Sequence, residues 1–345
     1  MRQRLFNDFL NGIVKTALWF YFSEIKVKGK WKDYKDDPII IIANHQNALL
    51  DPLLIATFIN LKPHFLSRAS VFKNPIIAKI LAFIRMVPVF RIRDGFGSIH
   101  GNKSSFSFCE KVLKNQGKIL VFPEGNHSLK RQVRPLSKGF TRIVSEALHN
   151  DPEMDLKILP IGINYQAHQK SGSKVLLDIG EPISAKQYIG QERILLKKVE
   201  KELQSLTLHL PEETYNESLK MILRSNTDIT ACRWGVESSL LASVADAKKG
   251  HHPKWKNWFF KAMHFPLWII WKSLKPKIID TVFYGTFKFC LGLVVAPIYY
   301  LSVFYFIYTF TSLSTAIICI LLMLLSLKFN RNWYNQTEKD LIKKR

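Results

Sequence analysis

From Phe289 to Leu327 the chain runs for 39 residues without a charged side chain. No other feature restricts the fold so strongly. A helix needs about 20 apolar residues to cross a bilayer, where its backbone must satisfy its own hydrogen bonds. The run is nearly double that length, and Thr309, Thr311, Ser312, Ser314 and Thr315 cluster near its middle. The pattern predicts two helices joined by a tight polar turn, a transmembrane hairpin over 289–327. The second arm is short, so a re-entrant hairpin is the competing reading. Lys288 precedes the first arm, and Lys328 and Arg331 follow the second. Basic residues at both ends place both ends on the cytoplasmic side, with 328–345 as a basic cytoplasmic tail.

Charge supports a membrane surface. The chain holds 50 basic and 27 acidic residues, a net charge of +23, which calls for an anionic partner. From His251 to Lys288 there are seven Lys and one acid, Asp280, interleaved with Trp255, Trp258, Trp268 and Trp271. Lys and Trp beside a long apolar run suit an anionic lipid interface better than a nucleic-acid groove. No zinc-finger, RNA-recognition or homeodomain pattern is present, so no nucleic-acid partner is expected. We read 191–288 as a helical, basic, Trp-rich interface region, with Ile194, Leu195, Val199, Leu203 and Leu206 as a buried stripe. Cys109, Cys232, Cys290 and Cys319 lie far apart, which argues against a zinc site and fits a reducing compartment. At the other end, Phe6, Phe9, Leu10, Ile13, Ala17, Phe20 and Tyr21 fall near helical spacing. Residues 1–24 read as an amphipathic helix on the membrane or packed on the domain. Asn7, Asp8, Asn11 and Lys15 interrupt its apolar residues, unlike a cleavable signal.

Between these ends, β-type runs alternate with helical stretches. The strands are Ile39–Ile42, Val87–Ile92, Lys118–Phe122, Ile158–Asn164 and Lys174–Ile179. Helices are expected from about Ala48, over Ser105–Lys114 and over Lys138–His149. Such alternation predicts an α/β domain, a mixed sheet flanked by helices, near residues 25–190.

Chemistry gathers where these strands end. Ile41-Ile-Ala-Asn-His-Gln-Asn-Ala-Leu-Leu-Asp-Pro52 runs a hydrophobic strand into His45, with Asp51 six residues on. A carboxylate beside a His can fix the imidazole tautomer, the arrangement a base needs to take a proton from an alcohol. Read alone, the pair is a weak signal, and a satisfied His with a helix-capping Asp is the favoured reading. Phe122-Pro-Glu-Gly-Asn-His-Ser128 follows another strand and is trailed by Arg131, Arg134 and Lys138. Glycine at a strand end admits a ligand to the backbone, and cations suit a phosphate. Val87-Pro-Val-Phe-Arg-Ile-Arg93 supplies Arg91 and Arg93, and Ile158-Leu-Pro-Ile-Gly-Ile163 carries Pro160 early in a strand.

In their order, these four blocks resemble the glycerolipid acyltransferase family, which acylates glycerol-3-phosphate and lysophosphatidic acid. The resemblance covers roughly residues 20–185 and implies a glycerolphosphate acyltransferase-like fold. It implies His45 as general base with Asp51 as its partner, and Arg91 as the arginine that binds the acceptor phosphate. Glu124 and Gly125 match the third block, and Pro160 matches the fourth, associated with the acyl-donor side. Arg93, Asn126, His127 and Lys138 complete the substrate-binding candidates. The resemblance implies acyl-CoA or acyl-carrier-protein as co-substrate, with no metal and no other cofactor expected. The C-terminal hairpin is similar, more loosely, to that of the eukaryotic glycerol-3-phosphate and dihydroxyacetone-phosphate branch.

The chain departs from the family pattern twice. Five residues, not four, separate His45 from Asp51. Six steps of about 100° leave the two side chains diverging on an ideal helix. His45 is therefore expected before the helix, with Gln46 and Asn47 irregular and Asp51 pointing back. Asn126-His127 also stands where Thr-Arg is usual, so Arg131, Arg134 or Lys138 would supply the missing cation. That second departure leaves the acceptor open: a phosphate-bearing lipid precursor, or the hydroxyl of a lyso-aminolipid. A catalytically inactive membrane scaffold with the same fold is the rival from another class.

Overall fold

The computed structural model describes residues 2–90, 102–224, 228–232 and 260–329. Its centre is strand β2 (Ile39–Ala43), every residue of which is buried. It pairs in parallel with β5 (Lys118–Val121) on one side and β6 (Lys157–Tyr165) on the other. β1 (Glu24–Lys28), β3 (His64–Arg68), β4 (Met86–Val89) and β7 (Lys174–Ile179) extend the sheet in the order β1-β7-β6-β2-β5-β3-β4. β7 and the short β8 (Ile183–Ser184) run antiparallel to β6, which makes the sheet mixed.

The four isoleucines of β2 alternate between two cores, as the period of a strand requires. Ile40 and Ile42 meet one layer with Phe106 and Cys109 of α4 (Asn102–Lys114), Phe140 and Ile143 of α5 (Gly139–Asn150), and Leu195, Val199 and Leu203 of α6 (Glu192–Leu206). Ile39, Ile41 and Ala43 meet the other with Val14 and Leu18 of α1 (Arg2–Tyr21) and Leu50 and Leu54 of α2 (Leu50–Phe58). Each such buried aliphatic side chain contributes about 1.5–3 kcal/mol. α6, which the sequence places beyond the domain boundary at residue 190, covers β6 and belongs to this core.

The remaining helices are α3 (Pro75–Phe83), α7 (Tyr215–Arg224), α8 (Phe265–Leu274), α9 (Tyr284–Phe310) and α10 (Leu313–Phe329). α9 starts ahead of Phe289, where the uncharged run begins, and Phe289 itself joins the domain core. Thr311 and Ser312 separate α9 from α10, and the two helices pack together. Thr281–Phe310 is long and apolar enough to cross a membrane, and Leu313–Leu327 is a shorter apolar helix.

The end of α6 presses on β6 at Gly162, where an added Cβ would sit 2.3 Å from the Leu206 carbonyl oxygen. The same oxygen accepts a hydrogen bond from Asn164 Nδ2 at 2.8 Å, so it cannot simply move aside. Gly162→Ala should therefore cost about 1–3 kcal/mol, an overpacking penalty. Thermal unfolding of purified wild type and variant measures it, and equal melting temperatures would contradict this contact.

Candidate active site

β2 and β5 are neighbours and parallel, so the loops leaving their C-terminal ends meet. His45 lies in the first loop, outside α2. Its N–H donates to Glu124 Oε1 at 3.3 Å, and its carbonyl accepts from Ser128 N at 3.2 Å, which laces the first block to the third. The extra residue between His45 and Asp51 is absorbed ahead of the helix. Ala48 adopts φ +34°, and Leu50 N–H closes a turn on the Asn47 carbonyl at 2.8 Å. Such a φ at a non-glycine residue costs about 1–3 kcal/mol and persists only where its surroundings enforce it.

Asp51 is the enforcing group. It is fully buried in the first turn of α2, where the helix dipole favours a carboxylate. Its Oδ2 accepts from His45 Nδ1 at 2.8 Å, Gln46 N at 2.8 Å and Asn47 N at 2.7 Å. Its Oδ1 accepts from the Tyr165 hydroxyl at 2.6 Å. Burial, then the Asp51 carboxylate itself, raises the Tyr165 phenol well above its ordinary pKa, so it stays a donor. The His45 ring stacks on Phe122, centroids 4.2 Å apart, and its side chain is 17% exposed. With Nδ1 held by Asp51, Nε2 is left facing outward, without a partner among the described residues.

The third block forms the opposite wall. Glu124 is buried and pairs with Arg134, whose Nη2 lies 2.6 Å and Nε 2.7 Å from Glu124 Oε2. Arg134 also donates to the side-chain and main-chain oxygens of Asn126. Burial pushes the Glu124 carboxyl up to about 7, even with the Arg134 guanidinium beside it. Gly125 takes φ +73° in this turn and donates its N–H to the Phe122 carbonyl at 3.2 Å. That amide is committed to the turn, so any oxyanion donors lie one or two residues further on.

His127 turns toward the C-terminal part of the chain. Its Nε2 lies 3.5 Å from Asp280 Oδ2, and its ring meets Phe283 edge to face at 4.8 Å. Burial, and then the neighbouring His45, lowers its pKa. Lys138 is exposed at the start of α5, next to Ser137, whose N–H donates to the Pro123 carbonyl at 2.8 Å. Arg131, one of the proposed replacement cations, faces inward instead: its guanidinium donates to the Tyr165 and Gln166 carbonyls at 2.7 and 3.0 Å. Pro160 is buried in β6 opposite Ile42, at the junction where β8 gives way to β7, and its carbonyl accepts from Gly180 N. A missing N–H is tolerated in that gap. Arg91 and Arg93 lie outside the described residues.

Several participants escape a motif-based reading. Tyr165 sits three residues past the fourth-block glycine, a phenol at the end of an apolar strand, and nothing local announces its partner. Gln46 reaches the buried His168, Oε1 to Nε2 2.9 Å, beneath the loop. Asp280 gives a signal in retrospect, as the lone acid in the Lys- and Trp-rich stretch. The start of α9 continues the same wall: Thr286 Oγ1 accepts from Leu49 N at 3.3 Å, and Lys288 Nζ donates to the Gln169 carbonyl at 2.8 Å.

The His–Asp pair at the C-terminal end of β2 faces a Glu–Gly turn at the end of β5, and comparison with known proteins finds acyltransferases. A family model described as Acyltransferase matches residues 24–164. Glycerol-3-phosphate O-acyltransferase 2 of Saccharomyces cerevisiae is 25% identical, over 52% of this chain and 27% of its own length. Glycerol-3-phosphate O-acyltransferase 1 of the same yeast is 21% identical, over 47% and 32%. An uncharacterized acyltransferase of Schizosaccharomyces pombe is 31% identical, over 56% and 42%. The solved 1-acyl-sn-glycerophosphate (LPA) acyltransferase PlsC of Thermotoga maritima superposes with a TM-score of 0.43 at 23% identity, over 58% of this chain and 77% of that one. The likeness is to acyltransferases of glycerolipid precursors, and the matched acyltransferase segment is residues 24–164. It spans less than half the length of the curated yeast relatives it matches.

Tyr165→Phe should lower kcat roughly tenfold, the rate equivalent of one charge-assisted hydrogen bond, with KM nearly unchanged. Steady-state kinetics separate the two, and an unaltered kcat would leave Tyr165 without a positioning role. Glu124 supplies a pH test. Its folded pKa lies above the ordinary carboxylate value, so its contribution to stability is complete below that value and is lost as pH rises through about 7. Melting curves should show Glu124→Gln gaining on wild type between about pH 5 and about pH 8. A pH-independent gap between the two would contradict the upward shift.

Proposed function

We propose that the protein is an O-acyltransferase that moves a fatty acyl group from acyl-CoA or acyl-carrier-protein to a hydroxyl of glycerol-3-phosphate or lysophosphatidic acid. The observation that carries this reading is His45, held by Asp51 through Nδ1 with Nε2 left facing the cleft. In this mechanism Nε2 takes the acceptor hydroxyl proton as the oxygen attacks the thioester carbonyl. The tetrahedral oxyanion is met by the backbone amides of Asn126 and His127, which donate to no other described residue. As the intermediate collapses the C–S bond breaks, and imidazolium returns the proton to the departing thiolate. The thioester is already activated, so the step calls for no metal.

Acceptor recognition is assigned to cations around the third block. Arg134 is partly exposed beside Glu124, Lys138 stands at the start of α5, and Arg91 and Arg93 follow β4 in sequence. The place of the family's usual arginine is held by His127, which burial biases toward the neutral form. A phosphate there depends on Arg134 and its neighbours. Pro160 is assigned to the acyl-donor side by family resemblance. The long apolar helix Thr281–Phe310 supports a membrane location, and the basic residues at both ends of the hairpin support a catalytic domain on the cytoplasmic face of an anionic membrane.

The test is acyl transfer by purified protein from a labelled thioester to glycerol-3-phosphate, lysophosphatidic acid, other lysophospholipids and a lyso-aminolipid. Transfer to a glycerol-phosphate acceptor is expected, with His45→Ala losing about 10²–10⁴ in rate. Transfer confined to the lyso-aminolipid would overturn the acceptor assignment. Near-wild-type turnover in His45→Ala would overturn the mechanism, and no transfer to any acceptor would favour the inactive scaffold.

A further inference from the structure

We propose that helix α3 is a lipid-inserting element, and that α3 and α1 together lay one helical face of the domain against an anionic bilayer. This rests on the membrane reading of α9 and α10 and adds a second attachment remote from them in sequence.

α3 is a properly started helix. Pro75 opens it, and Asn74 Oδ1 accepts from Ile76 N at 2.9 Å and Ile77 N at 3.2 Å. Yet it packs unlike a helix of an aqueous domain. Its sequence is Pro-Ile-Ile-Ala-Lys-Ile-Leu-Ala-Phe, and none of its residues is buried. Ile76 is 69%, Ile80 57% and Phe83 40% exposed. An apolar surface of this kind on a folded domain marks an interaction site.

The surface is continuous with the membrane-type helices. Phe83 meets Phe6 of α1 edge to face at 5.3 Å. The Phe83 carbonyl accepts from Gln3 Nε2 at 2.9 Å and Asn7 Nδ2 at 3.3 Å. α1 adds exposed Leu5, Phe6, Phe9 and Ile13, and packs along its length on α2, α9 and α10. An apolar strip thus runs from α3 across α1 to the helix pair. The opposite face of the sheet differs: α4 and α6 turn Lys103, Lys111, Lys114, Arg193, Lys197 and Lys201 outward.

Charge selects lipid over another protein surface. From Pro52 to Arg93 the chain has no acid, and the cations nearest α3 in sequence are Lys73, Lys79 and Arg85, while Lys62 is paired with Asp8 of α1 at 2.7 Å. Lys73 and Lys79 are exposed at its start and middle. Apolar side chains flanked by cations are the signature of an element seated in an anionic headgroup layer.

The test uses the full chain in vesicles of phosphatidylcholine and phosphatidylglycerol. Cys290→Ala and Cys319→Ala remove the partly exposed thiols, and Cys109 and Cys232 are buried. An environment-sensitive fluorophore is then placed in separate variants by Ile80→Cys on α3, Leu301→Cys on α9 and Lys111→Cys on α4. Blue-shifted emission quenched by lipids brominated in the acyl chain is expected at positions 80 and 301 and not at 111. Quenching at 301 with a water-like signal at 80 overturns the proposal and leaves the membrane reading intact. A blue shift at 80 without lipid quenching means protein covers α3, a second copy for instance, and overturns it as well. Absence of quenching at both 80 and 301 removes the membrane reading and this inference with it. In vesicles of phosphatidylcholine alone, quenching at 80 should fall at least about twofold. Unchanged quenching there contradicts the choice of an anionic surface.

Discussion

The rest of the structure depends on one buried carboxylate. Removing an ionised carboxylate from water costs several kcal/mol unless its oxygens are met by donors. Asp51 is met by four, from a ring, two backbone amides and a phenol. Those bonds settle the path of residues 44–50, hold Ala48 in its unusual conformation and bring the ends of β2 and β6 to one point. The β5 loop joins through the His45 backbone, whose amide and carbonyl pair with Glu124 and Ser128. The three central strands are thereby tied at their C-terminal ends, where parallel α/β sheets present their ligands.

A second constraint comes from the C-terminal part of the chain. Asp280, Phe283, Thr286 and Lys288 all touch the site or the loops beside it. Gly285 lies against Asn47, where an added Cβ would come within 2.5 Å of the Asn47 side-chain oxygen. The first turns of α9 therefore work as a wall of the cleft as well as the start of an apolar helix. The candidate site and the start of the long apolar helix share one piece of structure.

Much of the fold was legible because its signals are local. Ile39–Ile42 is apolar on both faces, as only a central strand can be, and the uncharged run beyond Phe289 permits little besides paired apolar helices. The His45–Asp51 spacing gave the right geometry once helical pitch was counted: the pair had to meet outside a regular helix. Other elements stayed hidden for physical reasons. β1 and β3 lie toward the edges of the sheet, are short, and carry Lys, His and Arg, so they show no buried run. α3 is apolar but for Lys79 and lacks the periodicity that sorts core from solvent. Tyr165 and Asp280 act through partners more than a hundred residues away in sequence, and no spacing rule reaches that far. Arg131 misled because a buried guanidinium capping strand carbonyls looks the same in sequence as one waiting for phosphate.

The central claim is that Asp51 fixes the His45 tautomer and leaves Nε2 free to take a proton. Nitrogen-15 NMR of histidine-labelled protein reads this directly, with the His45 resonance assigned from a His45→Gln sample. At a pH where the imidazole is neutral, the proton should reside on Nδ1, with Nε2 showing the shift of an unprotonated ring nitrogen. A neutral ring carrying its proton on Nε2, with Nδ1 bare beside Asp51, would contradict the account.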